Sequence, residues 1–121
     1  MSRSLRVENV TKRHLLAEQA ELADHPWRRL KGLLGRAGLR PGEALVLRPC
    51  QGVHTWFMTF PIDVLYVDAH SVVRRILADM PPNRFGPMVW RANSVIELPA
   101  GSVRASGTEV GDRLAIGPER P

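Results

Sequence analysis

The chain is poor in the residues that build specialised chemistry. Its 121 residues include one cysteine, Cys50. That excludes an intramolecular disulfide framework and any zinc site built from several thiolates, and it suits a reducing compartment. Lysine occurs only at Lys12 and Lys31, so the net charge of +5 is carried almost wholly by arginine. No stretch approaches the roughly 18 apolar residues of a membrane span. The opening MSRSLRVENV lacks the apolar centre of a signal peptide, so a cytoplasmic location is expected. His14, His25, His54 and His70 are scattered, with no H-x-H or H-x-x-x-H pair. No metal site and no cofactor are therefore expected. Gly32, Gly35 and Gly38 have no strand before them and no Lys-Ser/Thr after them, so they form no phosphate-binding loop.

What is present is ordinary globular material, 44% hydrophobic and 24% charged. Its length suits a single domain over residues 1–121, with enough chain to bury one real core. Arginine is dispersed. The adjacent pairs Arg28-Arg29 and Arg74-Arg75 lie in no Gly/aromatic nucleic-acid motif. Nucleic acid is accordingly not the expected partner, and an arginine-mediated nucleic-acid binder stands as the second alternative.

The most informative stretch is residues 49–68, PCQGVHTWFMTFPIDVLYVD. From Ile62 to Val67 every residue but Asp63 is apolar. A short apolar run bounded by turn residues predicts a strand covered on both faces. A carboxylate inside such a run needs partners, because desolvating it alone costs several kcal/mol.

Along the chain, Leu5–Val10 reads as a strand. Residues 14–23, HLLAEQAELA, read locally as a helix, on propensity and on the spacing of Leu15, Leu16, Gln19 and Leu22. Trp27, Leu30, Leu33 and Leu34 mark a short amphipathic helix near 26–34, with Asp24 as its cap. Ala44–Leu47, Val53–Met58 and Ile62–Val67 read as strands. Asp68-Ala69-His70-Ser71 is a hairpin turn into Val72–Ala78. Residues 79–93 form a long loop carrying Phe85, Met88 and Trp90. Loops of this length in compact domains are usually functional or disordered. Ser94–Leu98 is a strand, Ala100–Ser106 a helix ended by Gly107, and Arg113–Ile116 the last strand.

Two sets of residues carry candidate chemistry. His54 and Asp63 are the catalytic candidates. Brought together, a carboxylate would orient the imidazole and raise its basicity, with Cys50 or Thr55 as nucleophile. The plainer reading has both side chains satisfying backbone amides within a packed sheet. Trp56, Met58, Phe85 and Trp90 are the ligand-binding candidates. Alternation places Trp56 and Met58 on the face opposite Phe57, and the long loop would cover or extend that face into an aromatic-lined groove.

The segments RLKGLLGR (29–36), HTWFMTFPIDVLYVD (54–68), VIELPAG (95–101) and GTEVGDRLAI (107–116), in this order and spacing, resemble the bacterial and archaeal family "domain of unknown function 192" over roughly residues 10–117. The resemblance implies a compact β-rich domain in which residues 14–22 form a strand. It implies no established activity. Many of the proteins it resembles are exported or membrane-anchored, which this chain's opening does not match. The ending from Ser102 to Ile116 is also similar to the closing unit of small cradle-like barrels, which implies that Asp112 bonds backbone amides.

Together these readings predict an α+β, β-dominated fold: a small curled antiparallel sheet or barrel-like domain with two short helices. The expected function is a soluble binding or accessory domain with an aromatic-lined groove. Its partner is an unknown protein or small-molecule ligand. A small hydrolase or transferase using His54 and Asp63 is the first alternative.

Overall fold

The computed structural model describes residues 4–24, 33 and 35–118. In chain order the strands are β1 (Ser4–Asn9), β2 (His14–Ala23), β3 (Glu43–Leu47), β4 (Ile62–Asp68), β5 (Val73–Met80), β6 (Ala92–Pro99) and β7 (Leu114–Pro118). The helix α1 (Ser102–Ser106) lies between β6 and β7. The strands form one sheet, ordered β5-β4-β6-β3-β2-β1-β7. Every pairing is antiparallel except that of β2 with β3.

The sheet curls until its two edge strands meet. Val73 donates its N–H to Asp112 O at 2.9 Å, Gly111 to Val73 O at 2.8 Å, and Leu114 to Ser71 O at 2.8 Å. Val72 bridges to Arg113. These bonds close β5 onto β7 at one end, so the edges present fewer open donors and acceptors there.

Alternation along each strand divides the apolar residues into two cores. One draws on all seven strands, including Val7, Ala20, Val46, Leu65, Val67, Val73, Ile96 and Leu114, and so fills the inside of the curl. The other lies on the outer face of β3, β6, β4 and β5. It contains Leu45, Ile62, Val64, Tyr66 and Val95, and it is roofed by Leu33, Met58, Val53, Phe60 and Val89. β4 is therefore buried on both faces, as its unbroken apolar run predicts.

Residues 14–23 form a strand, as the family resemblance implies and against their local helix propensity. Glu21 pairs with Leu45 and Ala20 with both Leu5 and Ala44, so this segment is held between β1 and β3. Sheet pairing on both sides outweighs a propensity worth tenths of a kcal/mol per residue.

Residues 53–58 do not form the expected strand. His54 makes one isolated bridge, to Phe85, and the chain then turns, with Met58 N–H donating to Thr55 O. Among the described residues there is one helix, not two. It matches the expectation for 100–106, with Gly107 at φ 70 donating back to Val103 O. The helix expected near 26–34 falls mostly on residues outside those described.

Candidate functional site

Asp63 is buried, and both its oxygens are engaged by backbone amides. Oδ1 accepts from Asp79 N–H at 2.8 Å, and Oδ2 accepts from Val103 N–H at 2.8 Å. The first amide belongs to a bulge. Ile62 pairs with Met80 but Val64 with Leu77, so β5 carries an extra residue, and Asp79 takes φ 54 to accommodate it. The second amide belongs to the first turn of α1, where an unpaired donor is otherwise left over. One carboxylate thus ties β4 to the bulge and to the helix that closes the end of the curl.

No hydrogen bond or ion pair joins Asp63 to His54. The His54 ring lies against Phe85, centroids 6.5 Å apart, and its buried Nδ1 has no hydrogen-bond partner among the described residues. The structure therefore does not bring the two catalytic candidates into the contact that a base and its orienting carboxylate require. Beside Asp63 lies a cleft of about 440 Å³ bounded by Ala78, Asp79, Gly101 and Arg104. Among the described residues no three His, Cys, Asp or Glu side chains gather to hold a metal ion.

The aromatic candidates lie elsewhere, on a ribbon made by two loops. Residues 50–55 run antiparallel to residues 83–93 with backbone bonds throughout. Cys50 N–H donates to Asn93 O at 3.1 Å, Val89 to Gln51 O at 2.9 Å, Gly86 to Val53 O at 2.8 Å, and Thr55 to Arg84 O at 2.8 Å. Side chains add to this. Thr55 Oγ1 donates to Pro81 O at 2.7 Å and accepts from Arg84 N–H, while Gln51 Nε2 donates to Trp90 O at 2.7 Å. The ribbon is pressed onto β4. A Cβ at Gly86 would meet Val53 Cγ1 at 2.6 Å and Tyr66 Oη at 2.7 Å, so only glycine fits. Tyr66 donates its hydroxyl to Pro87 O at 2.8 Å, and burial pushes that hydroxyl up to about 12. The long loop is thus an ordered flap with apolar residues beneath it.

Its outer surface carries the rings. Trp56 is 38% exposed, Phe57 79%, Phe85 74% and Trp90 77%. Trp56 touches both Phe57 and Phe85, with centroids 6.2 and 5.5 Å apart and planes tilted by 56° and 57°. Met88 is exposed near Gly52. Met58, the remaining candidate, points inward and is buried in the outer core beneath the ribbon. Phe57 sits at φ 64, a region bulky residues rarely adopt. Asn83 Oδ1 holds it there by accepting the Phe57 N–H at 2.9 Å.

The two segments that carry the rings bear charge of one sign. Between residues 49 and 61, and between 81 and 96, there is no Asp or Glu. Arg84 and Arg91 flank Phe85 and Trp90. Arg75 stands opposite Tyr66 in the β4–β5 pairing and lowers the tyrosine's proton affinity through its charge, which places it beside the flap. Among the described residues none of these three arginines makes an ion pair.

A further carboxyl, absent from the sequence candidates, lies in β6. Glu97 is buried between Leu45 and Val64, and its Oε1 has no hydrogen-bond partner among the described residues. Burial pushes its pKa up to about 8, against a weaker opposing pull from Arg36, which is itself bonded to Glu21. Glu97 breaks an apolar run in VIEL just as Asp63 does in IDVL, so the same signal marks both.

The family model DUF192, described as "Uncharacterized ACR", matches residues 7–116 of this chain. A UPF0127 protein of Pyrococcus furiosus is 31% identical over 112 residues, covering 88% of this chain and 93% of the relative. A crystal structure of a protein of unknown function from Novosphingobium aromaticivorans superposes with a TM-score of 0.80 at 22% identity, over 94% of this chain and 84% of that one. A second crystal structure, of a proposed transcription regulator from Sinorhizobium meliloti, gives 0.78 at 24% identity, over 95% and 93%. At these identities the two structures share the fold. Among the described residues no helix is long and apolar enough to cross a membrane.

Proposed function

We propose that this chain, which belongs to the DUF192 family, is a binding module that engages its ligand through the aromatic strip formed by Trp56, Phe57, Phe85 and Trp90. The observation that carries this reading is Phe57. A large apolar ring is 79% exposed and stands on a left-handed backbone position that costs on the order of 1 kcal/mol. The fold gains almost nothing from that ring, yet Asn83 pins its backbone. Strain of this kind clusters at functional sites, and an ordered surface of exposed rings is the usual form of a partner site. A hydrolytic reading has no comparable support, since Asp63 is taken up by two amides and His54 by the ring of Phe85.

The test is amide chemical-shift mapping with a probe panel of nucleotides, oligosaccharides, short peptides and lipid micelles. The binding probe is expected to shift residues 51–57 and 83–91 and to leave the Asp79–Arg104 cleft unmoved. Shifts confined to that cleft, or none from any probe, would overturn the reading.

A further inference from the structure

Resting on the aromatic strip as the binding surface, we infer that its occupant is a single-stranded nucleic acid, held by stacking on the exposed rings and by phosphate contacts to Arg75, Arg84 and Arg91. Three features of the strip favour that occupant.

The first is charge. The ribbon carries arginines and no carboxylate, and among the described residues none of the three arginines makes an ion pair. An anionic partner fits such a rim. A second copy of this chain does not, because a two-fold contact would set arginine rims against each other.

The second is the order of groups along the ribbon. Trp56, Phe57 and Phe85 cluster at one end and Trp90 lies at the other. The intervening Gln51–Thr55 segment spans about 13 Å in extended form. Arg84 directly precedes Phe85, and Arg91 directly follows Trp90. Each end of the ribbon therefore carries a ring with a cation next to it in the chain, so a strand lying along the ribbon meets a stacking face and a phosphate partner at both ends. A membrane surface favours the opposite arrangement, with rings projecting to one common depth and cations behind them.

The third is ring geometry. The planes are tilted 56° and 57° to one another, so each ring offers its own face rather than a shared slot. Single-strand binders combine this kind of stacking platform with a basic track, and every base has a face to stack. An acidic peptide would satisfy the arginines but has no regular series of flat groups for the rings.

The test is fluorescence anisotropy of a labelled twelve-residue oligothymidylate titrated with the full chain at 50 and 200 mM NaCl. Saturable binding is expected at 50 mM. Three single-strand phosphate contacts give a weakening of roughly twentyfold at 200 mM. Replacing Arg84 and Arg91 together by Ala should weaken binding at 50 mM and cut that salt effect to roughly threefold. Replacing Phe57 and Phe85 together by Ser should weaken binding about tenfold or more at both salts and leave the salt effect unchanged. All four positions are exposed, and unchanged circular dichroism would confirm that the variants fold.

No saturable binding at 50 mM, or binding indifferent to the ring substitutions, overturns the inference. The same titration with phosphatidylcholine–phosphatidylglycerol vesicles, and with an oligoglutamate peptide, separates the failures. Ring-dependent capture by vesicles or peptide without oligonucleotide binding ends the nucleic-acid inference and leaves the strip as the binding surface. If no probe of either kind, nor any in the shift mapping, engages the strip, both readings fall.

Discussion

Replacing Glu97 by glutamine should stabilise the protein by roughly 4 kcal/mol at pH 8.5 and change it little at pH 5. The carboxyl is buried in the outer core and is pushed up to about 8 by that burial. In the unfolded chain it returns to its ordinary value of 4.5. Between those two values the folded state holds a proton that the unfolded state has released. Stability linked to Glu97 is thus fully present below about pH 4.5, falls as pH rises, and levels off above about pH 8. Glutamine has nearly the same shape and no proton to lose, so the variant escapes this loss. Urea unfolding of both proteins at pH 5 and 8.5 measures it. Asp68 and Asp112 do not obscure the window. Hydrogen bonds and neighbouring cations hold both below their ordinary 3.8, even against desolvation. Their contribution is lost only as pH falls below that range. Parallel pH profiles for wild type and variant would show that Glu97 is ionised in the fold.

Asp63→Ala should cost the fold roughly 3 to 6 kcal/mol, because two amides lose a charged acceptor at once and each such bond is worth about 1.5 to 3 kcal/mol. Asp63 is the acceptor for both the bulge amide of Asp79 and the first-turn amide of Val103. Asp63→Asn should recover part of the loss, since its single oxygen can satisfy one amide while its NH₂ group faces the other. The losses should appear in chemical denaturation. A change below about 1 kcal/mol for Asp63→Ala, or a gain for Asp63→Asn, would instead indicate a carboxylate retained at a cost to the fold, as functional groups often are.

How legible the chain was depended on how far each contact reaches. β4 could be read from its own residues because a doubly covered strand is apolar throughout. The α1 terminator could be read from Gly107, whose φ of 70 suits glycine. Asp63 was conspicuous as a carboxylate in that apolar run, but its partners, Asp79 and Val103, lie 16 and 40 residues away, so nothing local showed that it binds amides and not His54. β2 was misread from local signals because HLLAEQAELA is good helix material, and only its pairing with β1 and β3 makes it a strand. The family resemblance supplied that strand where propensity did not.

The candidate surface was half visible. Trp56, Phe85 and Trp90 stand out as large rings, the first in a segment that reads as a strand and the other two in the long loop. That Met58 turns inward while Phe57 turns outward follows from the turn at Thr55–Met58 and from the left-handed φ of Phe57. Strand alternation sets Met58 opposite Phe57 but cannot foresee that Trp56 turns outward with Phe57 and not inward with Met58. The basic rim was hidden for a different reason. Arg75, Arg84 and Arg91 come from a strand and a loop, and the seating of the flap on Tyr66 through Gly86 and Pro87 brings Arg75 close to the loop that carries the other two. Dispersed arginines in the sequence therefore concealed a local one-sided field.

The most direct measurement is the unfolding free energy of Phe57→Gly. If the ring is held outward for a partner, removing it sacrifices little burial, and glycine adopts φ 64 without the strain that phenylalanine bears there. The variant should then match wild type or exceed it by about 1 kcal/mol, while binding through the strip is lost. A destabilisation of 2 kcal/mol or more would mean that Phe57 is a packing element of the flap, and the case for an aromatic binding surface would fail with it.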